Sequence, residues 1–181
     1  FGAQLKNYEI SYESSFGDSS TFNLPNEPSE TSIYTKIKWK PNSKLIVEPG
    51  LRINTFTAHD QSFYPDFRFG MKYILNSSQF INLAVGNYHQ FIETFQDDYN
   101  PPFLDNWVAI DNSVDPAMST QYVLGYEQYI GREYKLQVEG YYKDIKNLLT
   151  FEETRASTDG QLPSENLSDL LKTADGYAYG L

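Results

Sequence analysis

Cysteine is absent from all 181 residues, which excludes disulfide cross-links, thiolate nucleophiles and thiolate-held metals. The absence suits a cell-envelope protein without proving one. Basic charge is scarce: 14 Lys and Arg stand against 24 Asp and Glu, for a net charge of −10. That balance argues against a phosphate-backbone partner, so no nucleic acid is expected. Only two histidines occur, and neither His59 nor His89 has a neighbouring ligand at zinc-like spacing. Asp111-Asn112-Ser113-Val114-Asp115 starts like a calcium loop but lacks its Gly and distal Glu. No metal and no cofactor is therefore expected. Gly-x-Ser-x-Gly, a phosphate-cradling glycine loop and a Cys–His pair are all missing, so an enzyme is not expected either. No apolar run approaches the ~20 residues of a membrane helix. The chain opens on Phe1 with no Met and no secretory leader, and it reads as an interior piece of something longer.

What is present is a two-residue rhythm. Strands send successive side chains to opposite faces. From Ile33 to Tyr142, stretches of about ten residues alternate, with no Lys, Arg, Asp or Glu on the apolar parity. The other parity carries Lys36, Lys38, Glu48, Arg52, Asp66, Arg68, Lys72, Glu127, Lys135 and Glu139. One side of each stretch is oily and the other charged, as in a membrane barrel wall with lipid outside and water within.

The connections alternate as well. Short turns are expected at Lys40 to Lys44, Asn76 to Ser78 and Ile130 to Arg132. Longer loops are expected at Glu13 to Glu30, Ile92 to Met118 and Leu149 to Asp175, with a medium one at Thr57 to Ser62. Leu167, Leu170 and Leu171 have helical spacing, which predicts a short surface helix before a last strand starting at Gly176. A phase change between Leu5 and Tyr8 predicts a bulge near Lys6 or Asn7. Pro49 predicts a bulge or a locally broken pair, because it cannot donate a ladder hydrogen bond. The long loops gather acid, including Glu93, Asp97 and Asp98, and Asp97-Asp98 reads as solvated charge.

A soluble antiparallel sandwich also alternates, with its apolar face packed inside. Three features favour the barrel. The segments are ~10 residues long, whereas ~5–6 is usual in soluble sheets. The loop lengths alternate by side. Aromatics collect near segment ends, with Trp39, Tyr73 and Tyr134 towards the short turns and Tyr12, Phe67, Tyr122 and Tyr142 towards the long loops. The fold expected is all-β: an antiparallel up-and-down meander, about eight strands of a larger transmembrane β-barrel.

Several stretches, in this order, resemble the β-barrel of TonB-dependent outer-membrane receptors of the Bacteroidota type. They are Glu30-Thr31-Ser32-Ile33-Tyr34 with Lys38-Trp39-Lys40-Pro41, Pro49-Gly50-Leu51-Arg52, and Phe67 to Tyr73 (FRFGMKY). Gly86 to Phe91 (GNYHQF), Gln121 to Glu127 (QYVLGYE) and Glu139 to Leu148 (EGYYKDIKNL) follow. The resemblance covers nearly all the chain, so residues 1–181 are expected to be one partial receptor barrel. It implies a barrel of about twenty-two strands closed by a plug domain, with import of a nutrient driven by TonB. Implied partners are the outer-membrane bilayer, TonB, the plug, an unknown nutrient ligand and a surface lipoprotein. Long loops would lie outside the cell and short turns in the periplasm. Plug, TonB-contact segment and final strands are not seen in this stretch. A barrel without energy coupling, an adhesin or a passive channel, is the alternative.

Candidate substrate contacts are Tyr88 and Gln90, where a segment meets a long loop, and Tyr99 and Trp107 within that loop. Arg52 and Arg68 are candidates on the inward face. The competing reading is structural, since inward charges commonly pair across strands: Glu48 shares a face with Arg52, and Asp66 shares one with Arg68. His89 falls on the lipid parity by strict count.

Overall fold

In the computed structural model, residues 1–16, 20–61, 63–95, 106–131, 133–151 and 171–181 are described, except for the side chains of 11–16, 20–26, 95, 106, 151 and 171. They form an all-β meander, with no helix among them. The principal sheet runs β1 (Gly2–Asn7), β4 (Ser29–Lys36), β6 (Leu45–Phe56), β7 (Tyr64–Ile74), β8 (Gln79–Gln90), β11 (Ala117–Ile130), β12 (Tyr134–Phe151) and β13 (Leu171–Gly180). Short β5 (Trp39–Asn42) pairs with the same β6. All pairings are antiparallel, and neighbours along the sheet follow in chain order.

The short turns are made by local chemistry. Asn42 Oδ1 accepts the Lys44 N–H at 2.9 Å. Asn76 Oδ1 accepts both the N–H and the hydroxyl of Ser78. Gly131 takes φ +66°, a left-handed conformation that an L side chain resists. Opposite Pro49 the ladder is broken, as its missing N–H requires. β4 stops at Lys36 and β5 resumes at Trp39, while Ile37 N–H still reaches the Pro49 carbonyl at 3.0 Å.

Two of the expected loops are hairpins. β2 (Ile10–Phe16) with β3 (Ser20–Asn26) fills most of the stretch read as Glu13 to Glu30. β9 (Ile92–Phe95) with β10 (Asn106–Ala109) lies within the Ile92 to Met118 loop. The last strand begins at Leu171 rather than Gly176. Leu167 and Leu170, the first positions of the expected helix, lie outside the described residues, and Leu171 stands in β13. The expected bulge near Lys6 is also corrected. β1 ends at Asn7, and Tyr8 stays on the face of Lys6 with its hydroxyl on Glu30 at 2.8 Å. The apolar change of phase reflects a change of sheet: Ile10 starts β2 and packs on the apolar cluster above the inner wall.

The two faces of the main sheet differ as the alternation demands. Ile33 is 66 % exposed, Trp39 60 % and Val138 50 %, with no second layer over them among the described residues. The sandwich is thereby excluded, because its apolar face would be dry. The buried apolar cluster, Phe56, Tyr64, Phe91, Ala109 and Ile110, sits at the long-loop end, where the hairpins fold against the inner wall. β12 is 18 residues long, well past the ~9–11 that a bilayer crossing needs. Within it Asn147 adopts φ +56° and the β12–β13 register shifts between Ile145 and Leu148. Asn is one of the residues that tolerates this conformation, and its amide reaches the Pro116 carbonyl at 3.3 Å.

Candidate functional site: a polar cleft at the long-loop end

β1, β4, β6 and β7 bring their inward charges to adjacent rows through register alone. Lys6 faces Glu30, Ser32 faces Asn54, and Arg52 faces Asp66. Arg52 ties three strands together. Its Nη2 donates to Ser32 Oγ at 2.7 Å, Gln4 Oε1 at 3.1 Å and Glu30 Oε1 at 3.3 Å, while its Nε donates to Asn54 Oδ1 at 2.6 Å. Lys6 Nζ meets the other oxygen of Glu30 at 3.0 Å. Asn54 and Asp66, 2 % and 3 % exposed, are joined at 2.9 Å. Buried polar groups need such partners, and nearly every atom here has one.

Asp66 also meets His89 Nδ1 at 2.7 Å. His89 is therefore on the inner side, contrary to its strict parity. Asn87 is the cause. Its side chain takes the place of the ladder, accepting Phe67 N–H at 2.7 Å and donating to the Pro65 carbonyl at 3.0 Å. The β7–β8 register stops at Arg68 and Gly86, and beyond it His89 is free to turn inward. Tyr88 is on the same wall, its ring under the Arg68 guanidinium at 4.7 Å. Gly86 is buried, and any Cβ there would come within 3.1 Å of the Tyr88 hydroxyl.

These residues line an open cleft of about 780 Å³, with Tyr8, Ile10, Gln90, Phe91 and Trp107 completing it. Arg52, Arg68, Tyr88, Gln90 and Trp107, all singled out on sequence grounds, meet here. Tyr99 lies outside the described residues. Their states differ: Arg52 is locked in its network, Gln90 gives its amide to the Ile92 carbonyl at 2.9 Å, and Trp107 is 57 % exposed. Sequence reasoning missed Lys6, Tyr8, Glu30 and Asn54, and it put His89 on the wrong face. The inward charges pair across strands, Glu48 with Lys36 and Lys38 and Asp66 with His89.

The family model described as TonB dependent receptor-like, beta-barrel, matches residues 1–179. The chain belongs to that family. Its membership makes the outward apolar face the lipid face of an outer-membrane barrel and the polar cleft part of the inner wall. No curated protein matches the chain. In this receptor barrel, Asp111 of the expected calcium-like loop has its Oδ1 occupied by the N–H and hydroxyl of Ser113.

Glu93, one of the acids of the long loop, is buried on β9. Its Oε2 accepts Leu149 N–H at 2.9 Å, beside the irregular Asn147, and its Oε1 has no partner among the described residues. Burial pushes its pKa above the ordinary Glu range, and the backbone amides of Leu149 and Ala117 only partly oppose this. With a raised folded value, docking of the β9–β10 hairpin is strongest below the undocked pKa. It weakens as pH rises through the docked one. Protection of the Leu149 amide, corrected for intrinsic exchange, is thus expected to fall as pH is raised from about 4, the ordinary Glu value. Glu93→Gln, which keeps the acceptor oxygen, should make that profile flat. A flat wild-type profile would contradict the assignment.

Proposed function

We propose that this barrel segment serves in the uptake of a nutrient across the outer membrane, energised through TonB in the full-length receptor. The reading takes the family to be of the Bacteroidota type, on the motifs from Glu30 to Leu148. The observation that carries it is the cleft: a polar, charge-lined hollow at the long-loop end of a wall whose other face is apolar. In this reading the long connections face the medium and the short turns face the periplasm. Cargo is first held in the cleft, and the plug lies below it. A surface lipoprotein hands the cargo over. Binding and passage are the whole of its chemistry, with no catalytic step.

Two measurements test this. Cells with the full-length receptor should deplete a solute too large for porins from the medium, and removal of either the receptor or TonB should stop the depletion. Depletion that persists without TonB would mean a passive channel. For orientation, the absence of native Cys in this stretch makes single-cysteine labelling clean. Ser113→Cys should react with an impermeant maleimide on intact cells, and Ser77→Cys only after the outer membrane is opened. The reverse pattern would overturn the sidedness.

A further inference from the structure

The charges lining the cleft are unequally satisfied. Lys6 and Arg52 share Glu30, at 3.0 and 3.3 Å. Asp66 is held by His89 and Asn54. Among the described residues this leaves Arg68 as the lining cation without a carboxylate partner. What holds it is the Tyr88 ring, 4.7 Å from the guanidinium carbon. A cation over an aromatic face is fixed in place while its N–H groups stay unused. The fork is thus pre-oriented and open, a geometry that matches a carboxylate or phosphate two bonds at a time. Glu9 also lines the cleft, but among the described residues no ion pair joins it to Arg68. Trp107, more than half exposed on the same cleft, offers a ring face for stacking.

We propose that the cleft selects a solute carrying a carboxylate or phosphate beside a ring, with the anion seated on Arg68 and the ring against Trp107. Tyr88 positions Arg68, and Gly86 leaves the room in which the Tyr88 ring lies. The inference rests on the cleft being a cargo site, but it needs no energy coupling. A passive barrel with the same wall would show it too.

The test is arginine footprinting on the purified full-length receptor with phenylglyoxal, read by mass spectrometry. Arg68 should be modified several-fold faster than Arg52, which is enclosed by its network. Glucuronate and glucose 6-phosphate should each slow the Arg68 reaction, and neutral glucose should not. Protection by only one of the two anions would assign the site to that group. In the same preparation, Arg68→Gln should lower glucuronate affinity by about tenfold or more, with Arg68→Lys intermediate, because Lys keeps the charge and loses the fork. A slow Arg68 indifferent to both anions would overturn the proposal, since that is the behaviour of an arginine paired with an acidic plug side chain. Equal protection by glucose would overturn it as well. Loss of TonB-dependent uptake with anion protection intact would refute energised import and leave this site standing.

Discussion

Replacing Arg52 with Met should destabilise the barrel by about 2 kcal/mol or more, because one truncation strips a charged donor from several shielded acceptors at once. The side chain is shielded, with 18 % of its surface exposed against 10 % for Glu30. Its loss removes donors from β1, β4 and β6 together, through Gln4, Glu30, Ser32 and Asn54. Asn54 would keep the Ser32 hydroxyl and its own bond to Asp66. Glu30 would keep Lys6 and Tyr8 on Oε2, but Oε1 would be left with Ser32 alone, at 3.5 Å. The penalty therefore concentrates on Glu30, and that makes the effect testable by a pair of variants. Adding Glu30→Leu to Arg52→Met should restore only part of the loss, since the apolar pair needs no partner but Lys6 and Tyr8 lose the oxygen they share. Urea unfolding followed by tryptophan fluorescence, or heat-modifiable mobility on gels, would measure both. A loss under about 1 kcal/mol would place Arg52 among ordinary surface pairs.

The same network shows what could be read from the chain alone and what could not. Alternation assigns Arg52, Asp66 and Arg68 to one face, because parity depends only on the pleat. Strand order also follows from loop lengths, so the meander was legible. Partners were not. Glu30 receives Lys6 across β1–β4 and Arg52 across β4–β6, and a register between strands is absent from any one strand's pattern. His89 and Tyr8 were misplaced for opposite reasons. At Asn87 a side chain replaces the backbone ladder and the parity rule stops applying, which composition gives no sign of. At Tyr8 the rule held, but counting the tyrosine as an apolar position suggested a bulge, although its hydroxyl is anchored on Glu30. Glu93 was legible only as one acid of a long loop. Its burial comes from the hairpin docking on β12, a contact between residues far apart in the chain.

Val138→Arg should cost about 2–4 kcal/mol of barrel stability in a bilayer, the penalty for a cation on the lipid face near mid-membrane. The choice of position matters. Val138 lies midway along β12 between Tyr134 and Tyr142, which mark the two interfacial levels, and it is paired with Tyr126 on the outer face. An Arg nearer either tyrosine could extend its charge to the headgroups and would cost less. Gln137→Arg, one residue away, points to the inner wall, where Lys135 already reaches its Oε1 at 3.0 Å and Glu127 at 3.3 Å. It should cost far less than Val138→Arg. Val138→Ala controls for the apolar side chain that Val138→Arg also removes, and the excess cost of Arg over Ala is the part due to the face. Parallel urea titrations of the three variants in liposomes would decide it. Equal losses, or a larger one at Gln137, would mean that the exposed apolar side of this sheet is not the side that meets lipid.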